Sequence, residues 1–248
     1  MTLEQFFAEN REVAIAFSGG VDSAYLLYAA TRYAARVKAY YVSTAFQPAF
    51  ELADARRLAD ELGADMLVLH VDVLSNSAVT ANPSDRCYHC KNTLFRQILR
   101  AAENDGFPVL LDGTNASDDA GDRPGMRALR ELSVRSPLRE CGLTKAEIRR
   151  LSREAGLFTW DKPAYACLAT RIRTGEKITL QKLKQTEKAE GFLFGLGFRD
   201  FRVRMVDNTA KLELREADLP LLLENREKIV TELRKDYDSV LLNLEVRK

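Results

Sequence analysis

The sequence predicts an α/β domain built on a parallel sheet with helices on both faces, followed by a small α+β module. Short apolar runs alternate with helical patterns along the first 170 residues, and a turn with two adjacent glycines joins the first run to its helix. Beyond residue 200, apolar residues alternate strictly with polar ones, which is typical of half-exposed strands. We place the boundary so that residues 1–172 form the first domain and 173–248 the second.

Four short apolar runs are the predicted strands of the first domain. They span residues 13–17, 37–43, 66–70 and 108–112. They are short and mainly apolar and alternate with amphipathic helices, as in a parallel sheet that is covered on both faces. The helices predicted between them span residues 24–30, 48–62 and 92–103. Thr2 begins an N-terminal helix with a capping box, and Gly63 is a helix stop signal.

The turn after the first strand is predicted to bind a phosphate. It contains Ser18, Gly19, Gly20, Val21, Asp22 and Ser23. Adjacent glycines let the backbone approach a ligand, and the free N–H groups of the turn and of the first helical turn attract an anion. The serine hydroxyls add donors, and Asp22, an acid beside an anion site, indicates bound Mg²⁺. An N-capped helix without a ligand is the alternative interpretation.

This turn matches the SGG-x-DS signature of the PP-loop ATP pyrophosphatase superfamily. The resemblance implies that ATP is cleaved between its α- and β-phosphates and that a carbonyl oxygen of the substrate becomes adenylated. The Gly-Lys-Ser/Thr P-loop pattern is absent, as is a G-x-G-x-x-G fingerprint. We therefore expect nucleotide use, and γ-phosphoryl transfer is not the favoured interpretation.

Polar motifs also follow two other predicted strands. They are Ser43-Thr44 and Asp112-Gly113-Thr114-Asn115. Ligands of parallel α/β sheets bind beyond the carboxyl ends of the strands, where neighbouring ends converge. We therefore expect these motifs to complete the nucleotide site, through Ser43, Gly113, Thr114 and Asn115.

The composition is that of an ordinary globular protein. Hydrophobic residues make up 46% of the chain and charged residues 29%, which allows a sizeable core. The net charge of +1 argues against a large nucleic-acid footprint. The sequence has no long apolar run and no charged-then-apolar leader, so we expect no membrane span and a cytoplasmic location. Four cysteines in a reducing compartment indicate metal or sulfur chemistry rather than a disulfide framework.

The second domain is predicted to be an α-β-β-α-β module. Its helices span residues 179–195 and 219–235, and its strands span residues 201–205, 210–215 and 239–244. The first two strands form an antiparallel hairpin that turns at Asp207-Asn208. Alternation puts Arg202 and Arg204 on one face of the hairpin, where paired guanidinium groups suit a phosphate. A solvated sheet face is the alternative interpretation.

Cys87 and Cys90 form a C-x-x-C motif. The motif alone fits a redox pair, half of a zinc site or ligands of an iron–sulfur cluster. A thioredoxin-like role would need a different fold context, and no second C-x-x-C completes a four-cysteine zinc site. Cys141 precedes Gly142 at a predicted helix-to-turn junction and is interpreted as a packing residue.

Cys167 is the third cysteine in a context that suggests chemistry. Lys162 and Arg171 are near it in the sequence and would favour its thiolate. One hypothesis is that the C-x-x-C pair and Cys167 hold a [4Fe–4S] cluster, whose fourth iron could bind an exogenous sulfide. A zinc site formed by the same three cysteines and His89 is the competing hypothesis.

Segments along most of the chain resemble the LarE family of ATP-dependent sulfur transferases, which build the nickel-pincer nucleotide cofactor of lactate racemase and related enzymes. The segments are residues 18–23, 85–91, 112–115, 118, 123–125, 136–138, 142–145 and 162–171. The last one is the most diagnostic, because the resemblance makes Cys167 the reactive sulfur position.

The resemblance implies a reaction and its site. The substrate is a pyridinium-3,5-dicarboxylate mononucleotide; ATP adenylates one carboxylate and releases pyrophosphate, and sulfur then displaces AMP to give a thiocarboxylate. Asp22 and Cys167 are the implied catalytic residues, and Glu190, Arg202 and Arg204 are the implied ligands of the substrate phosphate. The implied partners are this nucleotide and a sulfide donor, with a homo-oligomeric assembly and no nucleic acid.

Two versions of the family differ in the source of the sulfur. In one version, the cysteine at the position of Cys167 gives up its own sulfur and becomes dehydroalanine. In the other, two additional cysteines accompany a [4Fe–4S] cluster that delivers a bound sulfide, so that the enzyme turns over repeatedly. Because this chain has Cys87 and Cys90 as well, we favour the cluster version, with all three cysteines as ligands.

Two other functions remain open from the sequence. A tRNA thiolase can share the PP-loop and a three-cysteine cluster, and residues 171–215 contain 11 Lys or Arg against 6 Asp or Glu. No added RNA-binding module is recognisable, and the segment around Cys167 fits the LarE family better. The third hypothesis is a non-catalytic nucleotide-binding regulator that uses the cluster as a redox sensor.

Overall fold

The computed structural model describes residues 1–118 and 124–247. Arg123, one of the residues that carry the resemblance, lies outside the described residues. The chain divides into two compact units: unit 1 comprises Met1–Val73 and Asp85–Ala164, and unit 2 comprises Leu74–Ser84 and Tyr165–Lys248. Unit 2 therefore includes an internal segment from the first half of the chain. The domain boundary between residues 172 and 173 stays a prediction.

The elements alternate along the chain as the pattern predicts. The strands are β1 (Glu12–Phe17), β2 (Arg36–Ser43), β3 (Met66–His70), β4 (Val109–Leu111), β5 (Arg202–Val206), β6 (Thr209–Glu213) and β7 (Ser239–Leu242). The α-helices are α1 (Leu3–Glu9), α2 (Val21–Tyr33), α3 (Ala49–Leu62), α4 (Ser77–Thr80), α5 (Arg86–Asn104), α6 (Pro124–Glu131), α7 (Pro137–Glu140), α8 (Lys145–Glu154), α9 (Leu180–Gly195), α10 (Leu219–Glu224) and α11 (Arg226–Leu233). Within the two described ranges, no helix is both long enough and apolar enough to cross a lipid bilayer.

A four-stranded parallel sheet forms the centre of unit 1, in the order β3-β2-β1-β4. Successive residues of β1 pack into two different cores. Val13 and Ile15 pack with α1, α2 and α8, whereas Ala14 packs with Ile98 and Ala102 of α5. Helices therefore cover both faces of the sheet, which explains why its strands are mainly apolar and confirms the predicted fold class.

The two predicted helix signals in unit 1 are confirmed. Thr2 and Gln5 exchange side chain-to-backbone hydrogen bonds in a capping box that starts α1. Gly63 adopts a left-handed φ of 61°, and its N–H bonds back into the last turn of α3. The local sequence thus decides where these helices start and stop.

A three-stranded sheet in the order β5-β6-β7 forms unit 2 together with α9, α10 and α11. β5 and β6 are antiparallel, and β7 lies parallel to β6. Asp207 and Asn208 have φ values of 48° and 63°, the left-handed pair that a tight two-residue hairpin turn requires. The predicted hairpin is therefore confirmed in position and direction.

The predicted helix over residues 219–235 is wrong as a single element, because α10 and α11 are separated at Asn225. Asn225 has φ −101° and ψ 11°, outside the helical range. Its backbone N–H and its side-chain amide both donate to the Leu221 carbonyl, at 3.2 and 3.0 Å. An asparagine side chain that bonds to the backbone in this way competes with the helical ladder and ends it.

The segment Leu74–Ser84 is tied into unit 2 by its backbone. The N–H groups of Ile178 and Gly175 donate to the carbonyls of Thr80 and Asn82, both at 2.8 Å. Asn82 is buried, and its side-chain amide donates to the Arg173 carbonyl at 2.8 Å. These contacts join residues about ninety positions apart, so no local pattern could have predicted them.

Candidate functional site

The glycine turn between β1 and α2 is tightly packed at its first glycine. Gly19 has a φ of 72°, and a Cβ there would lie 3.2 Å from the Cβ of Ala55 in α3. Gly20 is the N-cap residue of α2 and brings no capping side chain. The N-terminus of a 13-residue helix therefore opens directly behind the turn, as an anion site requires.

Two serines hold the shape of this turn. The hydroxyl oxygens of Ser18 and Ser23 are 3.0 Å apart, and the Ser23 hydroxyl donates to the Gly20 carbonyl at 3.2 Å. The Ser18 N–H also donates to the Ser23 hydroxyl. Ser23 is buried, so the geometry gives it a bracing role within the turn.

The end of β4 packs directly on the first turn of α2. A Cβ on Gly113 would lie 2.9 Å from the backbone nitrogen of Ser23 and 3.2 Å from its Cα, which no real side chain could do without moving the backbone. The buried Asp112 next to it accepts hydrogen bonds from Thr114 and Ser136, at 2.5 and 2.6 Å. The structure thus brings together two motifs that the sequence predicts for one nucleotide site.

Ser43 lies at the end of β2, which neighbours β1 in the sheet. In the register it is paired with His70, the last residue of β3. Asn115 is buried in the loop that follows β4. These predicted residues therefore all belong to the carboxyl edge of the parallel sheet.

Asp22 is the acidic group of the turn, and one of its two oxygens is unsatisfied. Its Oδ2 accepts a hydrogen bond from Lys145 Nζ at 2.5 Å. Its Oδ1 is buried and has no hydrogen-bond partner among the described residues. Burial raises the pKa of Asp22 above its ordinary value, and the Lys145 ammonium opposes that rise.

Lys145 is brought to the turn by a helix that the sequence interpretation missed. α8 starts with a capping box in which Thr144 and Glu147 bond to each other's backbone N–H groups. The S/T-x-x-E pattern at Thr144 is a recognised start signal and could have found this helix.

Lys162 is a second cation at the same turn. Its Nζ lies 3.4 Å from the Gly19 carbonyl oxygen and 2.7 Å from a carboxylate oxygen of Asp54. Arg149 donates to the carbonyls of Trp160 and Lys162, at 2.7 and 2.8 Å, which fixes the backbone that carries this lysine. No local pattern indicates that Lys162 contacts Gly19, because the two residues are far apart in the chain.

The C-x-x-C motif lies in the first turn of α5, which starts six residues earlier than predicted, at Arg86. Cys87 is exposed and Cys90 is partly exposed, and their spacing of three puts them on one side of the helix. A guanidinium nitrogen of Arg86 lies 3.7 Å from the sulfur of Cys87. The early start escaped prediction because residues 86–91 lack apolar periodicity.

A cavity of about 350 Å³ in unit 1 joins this motif to the nucleotide motifs. Its walls include Cys87 and Lys91 from α5, Thr114 and Asp118 from the loop after β4, and Gly125 from α6. The Asp118 carboxylate accepts a hydrogen bond from the Asn115 N–H at 2.9 Å. A sulfur-bearing side chain and residues predicted to bind a nucleotide therefore face the same space.

The remaining cysteines have different settings. Cys141 packs partly buried against the core of unit 1, and burial raises the pKa of its thiol. Cys167 belongs to unit 2, whereas the C-x-x-C pair belongs to unit 1. In neither unit do the described residues include three or more His, Cys, Asp or Glu side chains arranged to hold a metal ion.

In unit 2, Cys167 is the N-cap residue of a short 3₁₀ turn, Leu168–Arg171. Thr170 donates to the Cys167 carbonyl through both its N–H and its hydroxyl, at 2.9 and 2.8 Å. Arg171 is buried, and one of its guanidinium nitrogens donates to the Ala166 carbonyl and the Thr170 hydroxyl, at 2.8 and 2.9 Å. The backbone on both sides of Cys167 is therefore fixed by hydrogen bonds.

The three residues predicted to bind the substrate phosphate have unequal surroundings. The buried Glu190 accepts hydrogen bonds from Arg171, Tyr165 and the N–H of Val203, so its carboxylate is fully engaged inside unit 2. Arg204 binds Glu213 at 2.6 Å and donates to the Thr170 carbonyl at 2.7 Å. Arg202 differs from both, because the described residues give its guanidinium no such partner.

The guanidinium of Arg202 has no hydrogen bond and no ion pair with any residue that the structure describes, although it is half-buried. Burial and three neighbouring guanidinium groups, those of Arg247, Arg171 and Arg204, lower its pKa. An unpaired arginine among other arginines creates a strong local positive potential, which suits a bound anion.

Comparisons with known proteins are consistent with this arrangement. The family model described as asparagine synthase matches residues 4–118, which include the glycine turn and the loop after β4. An uncharacterised protein of Synechocystis is 39% identical over 215 residues, covering 86% of this chain and 80% of that protein.

Two relatives of named function also match. The pyridinium-3,5-bisthiocarboxylic acid mononucleotide synthase of Lactiplantibacillus plantarum is 34% identical over 218 residues, which cover 87% of this chain and 79% of that enzyme. The tRNA-specific 2-thiouridylase of Thermotoga maritima is 26% identical over 191 residues, which cover 59% of this chain and 52% of that enzyme. The glycine turn, the cysteine motifs and the first of these two matches agree, and the chain belongs to the LarE family of ATP-dependent sulfur transferases.

Proposed function

We propose that this protein adenylates a carboxylate of pyridinium-3,5-dicarboxylate mononucleotide and converts it to a thiocarboxylate in the biosynthesis of a nickel-pincer nucleotide. The cavity of unit 1 is the observation that carries the proposal, because Cys87 and Thr114 face the same space there. An activated carboxylate must meet its sulfur before water hydrolyses it, so the two functions need a shared space. The Lactiplantibacillus relative is named for the synthesis of a pyridinium-3,5-bisthiocarboxylic acid mononucleotide, which supports a substrate with the same ring.

The glycine turn is proposed to bind the phosphates of ATP through Ser18, Gly19, Gly20, Val21 and Ser23, with Ser43, Gly113, Thr114 and Asn115 completing the site. In the first step, a carboxylate oxygen of the substrate attacks the α-phosphorus of ATP, and pyrophosphate leaves with the electrons of the broken bond. Lys145 and Lys162 lie near the turn, so their ammonium groups would offset the negative charge of the phosphates.

Asp22 is proposed to hold Mg²⁺. Its buried Oδ1 without a partner fits a hard cation that prefers carboxylate oxygen. When bound, Mg²⁺ would neutralise charge on the triphosphate and on the leaving pyrophosphate. Lys145 holds the other oxygen of Asp22 and so fixes the carboxylate. The carboxylate would in turn fix the position of the Mg²⁺ ion.

Arg202 and Arg204 are proposed to bind the phosphate of the substrate. Arg202 carries the greater share, because the described residues leave its guanidinium without a partner, whereas Arg204 also binds Glu213. Glu190 is proposed to act indirectly. Its carboxylate is occupied by Arg171 and by the N–H of Val203, which lies between the two arginines on β5.

Cys87, Cys90 and Cys167 are proposed to be the protein ligands of a [4Fe–4S] cluster. Three thiolates suit this cluster and leave one iron open. When bound, the cluster would supply an exchangeable sulfide. Displacement of AMP from the acyl-adenylate by sulfur then gives the thiocarboxylate, with AMP taking the electrons of the broken C–O bond. A cytoplasmic location, a homo-oligomeric state and the identity of the sulfide donor stay predictions.

A tRNA thiolase is the second candidate function. The excess of positive charge in residues 171–215 and the partial match to the Thermotoga thiouridylase favour it. That match covers little more than half of either chain, so it ranks below the mononucleotide synthase. A redox-sensing regulator would bind ATP and the cluster without releasing pyrophosphate.

Anaerobic reconstitution with iron and sulfide, followed by an ATP-dependent sulfur-transfer assay, tests the proposal. We expect pyrophosphate, AMP and a thiocarboxylate product with the pyridinium dicarboxylate mononucleotide, and no product with tRNA. The variants Cys87→Ser, Cys90→Ser and Cys167→Ser should lose the visible absorption of thiolate-bound iron, whereas Cys141→Ser is the matched control that keeps it.

Different negative results of these experiments would point to different alternatives. Pyrophosphate release with tRNA alone would support the thiolase, and ATP binding without any pyrophosphate release would support the regulator. If mass spectrometry after one turnover finds that Cys167 has lost the elements of H₂S, the sulfur comes from the cysteine itself and the cluster part of the proposal is wrong.

A further inference from the structure

We infer that Lys91 binds the carboxylate of the substrate that is not being adenylated, and that it thereby selects dicarboxylate over monocarboxylate nucleotides. The inference rests on the proposed function and adds a specificity-determining residue to it. It starts from the cavity in unit 1, which Lys91 shares with Cys87, Thr114 and Asp118.

The sequence spacing explains why Lys91 faces this cavity. Ile98 and Ala102 of α5 are buried against the sheet of unit 1. Residues at spacings of three and four share one side of a helix, so this side continues towards the N-terminus through Lys91 to Cys87. The stripe that packs on the sheet therefore ends in an ammonium group and a thiol.

The long side chain of Lys91 is supported along its stem. A Cβ on Gly125 would lie 3.2 and 3.3 Å from its Cδ and Cε and 3.6 Å from its Nζ, so α6 approaches this stem closely. The Nζ lies 5.9 Å from the ring centre of Phe95, one helical turn away. Contacts of this kind limit the freedom of the ammonium group before a ligand binds, which reduces the entropy cost of binding.

The charge of Lys91 is not used within the described part of the protein. The residues at 1–118 and 124–247 give its Nζ no ion pair and no hydrogen bond. In contrast, Lys145 is paired with Asp22, and Lys162 is paired with Asp54. Lys91 is thus the lysine of this cavity that is available to an anionic ligand.

The chemistry of the reaction decides which carboxylate this is. The carboxylate that attacks ATP must offer its lone pair to phosphorus, and a hydrogen-bonded ammonium would withdraw that electron density. The second carboxylate on the ring has no such demand and would otherwise enter the cavity near the acidic Asp118 unpaired. A lysine opposite it supplies the compensating charge.

The test compares two substrates in two variants. The substrates are the dicarboxylate mononucleotide and the pyridinium mononucleotide with a single carboxylate. Wild-type protein should show a KM for the monocarboxylate that is about tenfold to a hundredfold higher, because a hydrogen bond to a charged group is lost. Lys91→Met should raise the KM for the dicarboxylate by a similar factor and abolish the preference, while Lys91→Arg keeps it in part.

Two further measurements separate specificity from damage. The affinity for ATP and the visible absorption after reconstitution should be unchanged in Lys91→Met. Arg100→Met, which removes an exposed positive charge from the same helix, should alter neither KM nor the preference.

Three results would overturn the inference or its basis. If Lys91→Met retains the wild-type preference, Lys91 does not select the second carboxylate. If it weakens ATP binding instead, Lys91 binds a phosphate of ATP. If wild-type protein releases no pyrophosphate with either pyridinium nucleotide but does so with tRNA, the proposed function has failed, and the inference fails with it.

Discussion

Arg171 and Glu190 form a two-point ion pair inside unit 2, with N–O distances of 2.8 and 3.1 Å and side chains only 1% and 2% exposed. The same guanidinium donates to the carbonyl of Ala166, the residue before Cys167. The Glu190 pair therefore holds the guanidinium that fixes the backbone next to Cys167.

Glu190→Ala should destabilise the protein by about 3–5 kcal/mol, because removal of one partner leaves a buried charge unpaired. Denaturant unfolding measures this loss. The alkylation rate of Cys167 in the folded protein should also rise, since its backbone loses support. Glu224→Ala, at an exposed position of unit 2, is the control and should change stability by less than about 0.5 kcal/mol. Equal effects of the two variants would contradict the bracing role of Glu190.

Gly113→Ala should disrupt the nucleotide site. Its new Cβ would lie 2.9 Å from the backbone nitrogen of Ser23, so the first turn of α2 or the end of β4 has to move. We expect a loss of stability of about 1–3 kcal/mol from overpacking, together with weaker ATP binding. Gly191→Ala has open space around its new methyl group and lies within α9, so it should leave both properties intact or stabilise the helix slightly. Unchanged ATP affinity in Gly113→Ala would count against the site.

As the pH falls, the binding of Mg–ATP should start to weaken at a higher pH than it would if Asp22 had the pKa of an ordinary aspartate. Burial raises the pKa of Asp22 above 3.8, so its carboxylate gains a proton earlier as the pH falls. Lys145→Met removes a group that lowers this pKa, and should move the acid midpoint further upward.

The contribution of Asp22 to folding stability should have the opposite dependence on pH. Because its pKa is higher in the folded than in the unfolded state, Asp22 stabilises the fold below 3.8, and this contribution is lost as the pH rises through its folded pKa. Isothermal titrations and unfolding curves across the acid range measure both effects. Asp22→Asn is the control that lacks this titration, and an identical acid limb in that variant would rule Asp22 out as the cause.

Arg202→Met should weaken substrate binding without weakening the fold. The described residues give Arg202 no hydrogen bond and no ion pair. Burial and three neighbouring guanidinium groups lower its pKa despite Glu213 opposite it on β6, so its removal should relieve repulsion. We expect a KM for the mononucleotide raised about tenfold or more, with unchanged or higher stability. Arg204→Met should lose both binding and stability, because it also breaks the contacts to Glu213 and Thr170. A loss of stability in Arg202→Met would show that this residue supports the fold instead.

Local features were predictable from the sequence because their causes are local. The apolar run 13–17, the capping box at Thr2 and the left-handed turn at Asp207-Asn208 depend on neighbouring residues alone. The break at Asn225 depends on one side chain that bonds to its own helix, which the apolar pattern does not record.

The candidate site was only partly predictable, because several of its contacts join residues that are far apart in the sequence. The motifs at the strand ends follow from the direction of parallel strands, so their convergence could be expected. The contact of Lys145 with Asp22 and that of Lys162 with Gly19 each depend on chain paths that periodicity does not specify. The role of Glu190 depends on burial, which gives it partners inside the protein rather than a ligand.

The inclusion of Leu74–Ser84 in unit 2 sets an order of events during synthesis. The carbonyls of Asn82 and Thr80 in this segment accept hydrogen bonds from the N–H groups of Gly175 and Ile178. The segment leaves the ribosome long before these two donors. Unit 2 therefore cannot finish folding until both parts of the chain have been made. A C-terminal fragment that began at Tyr165 would leave those two donors without acceptors, so this module could not be transplanted to another protein as a single contiguous piece.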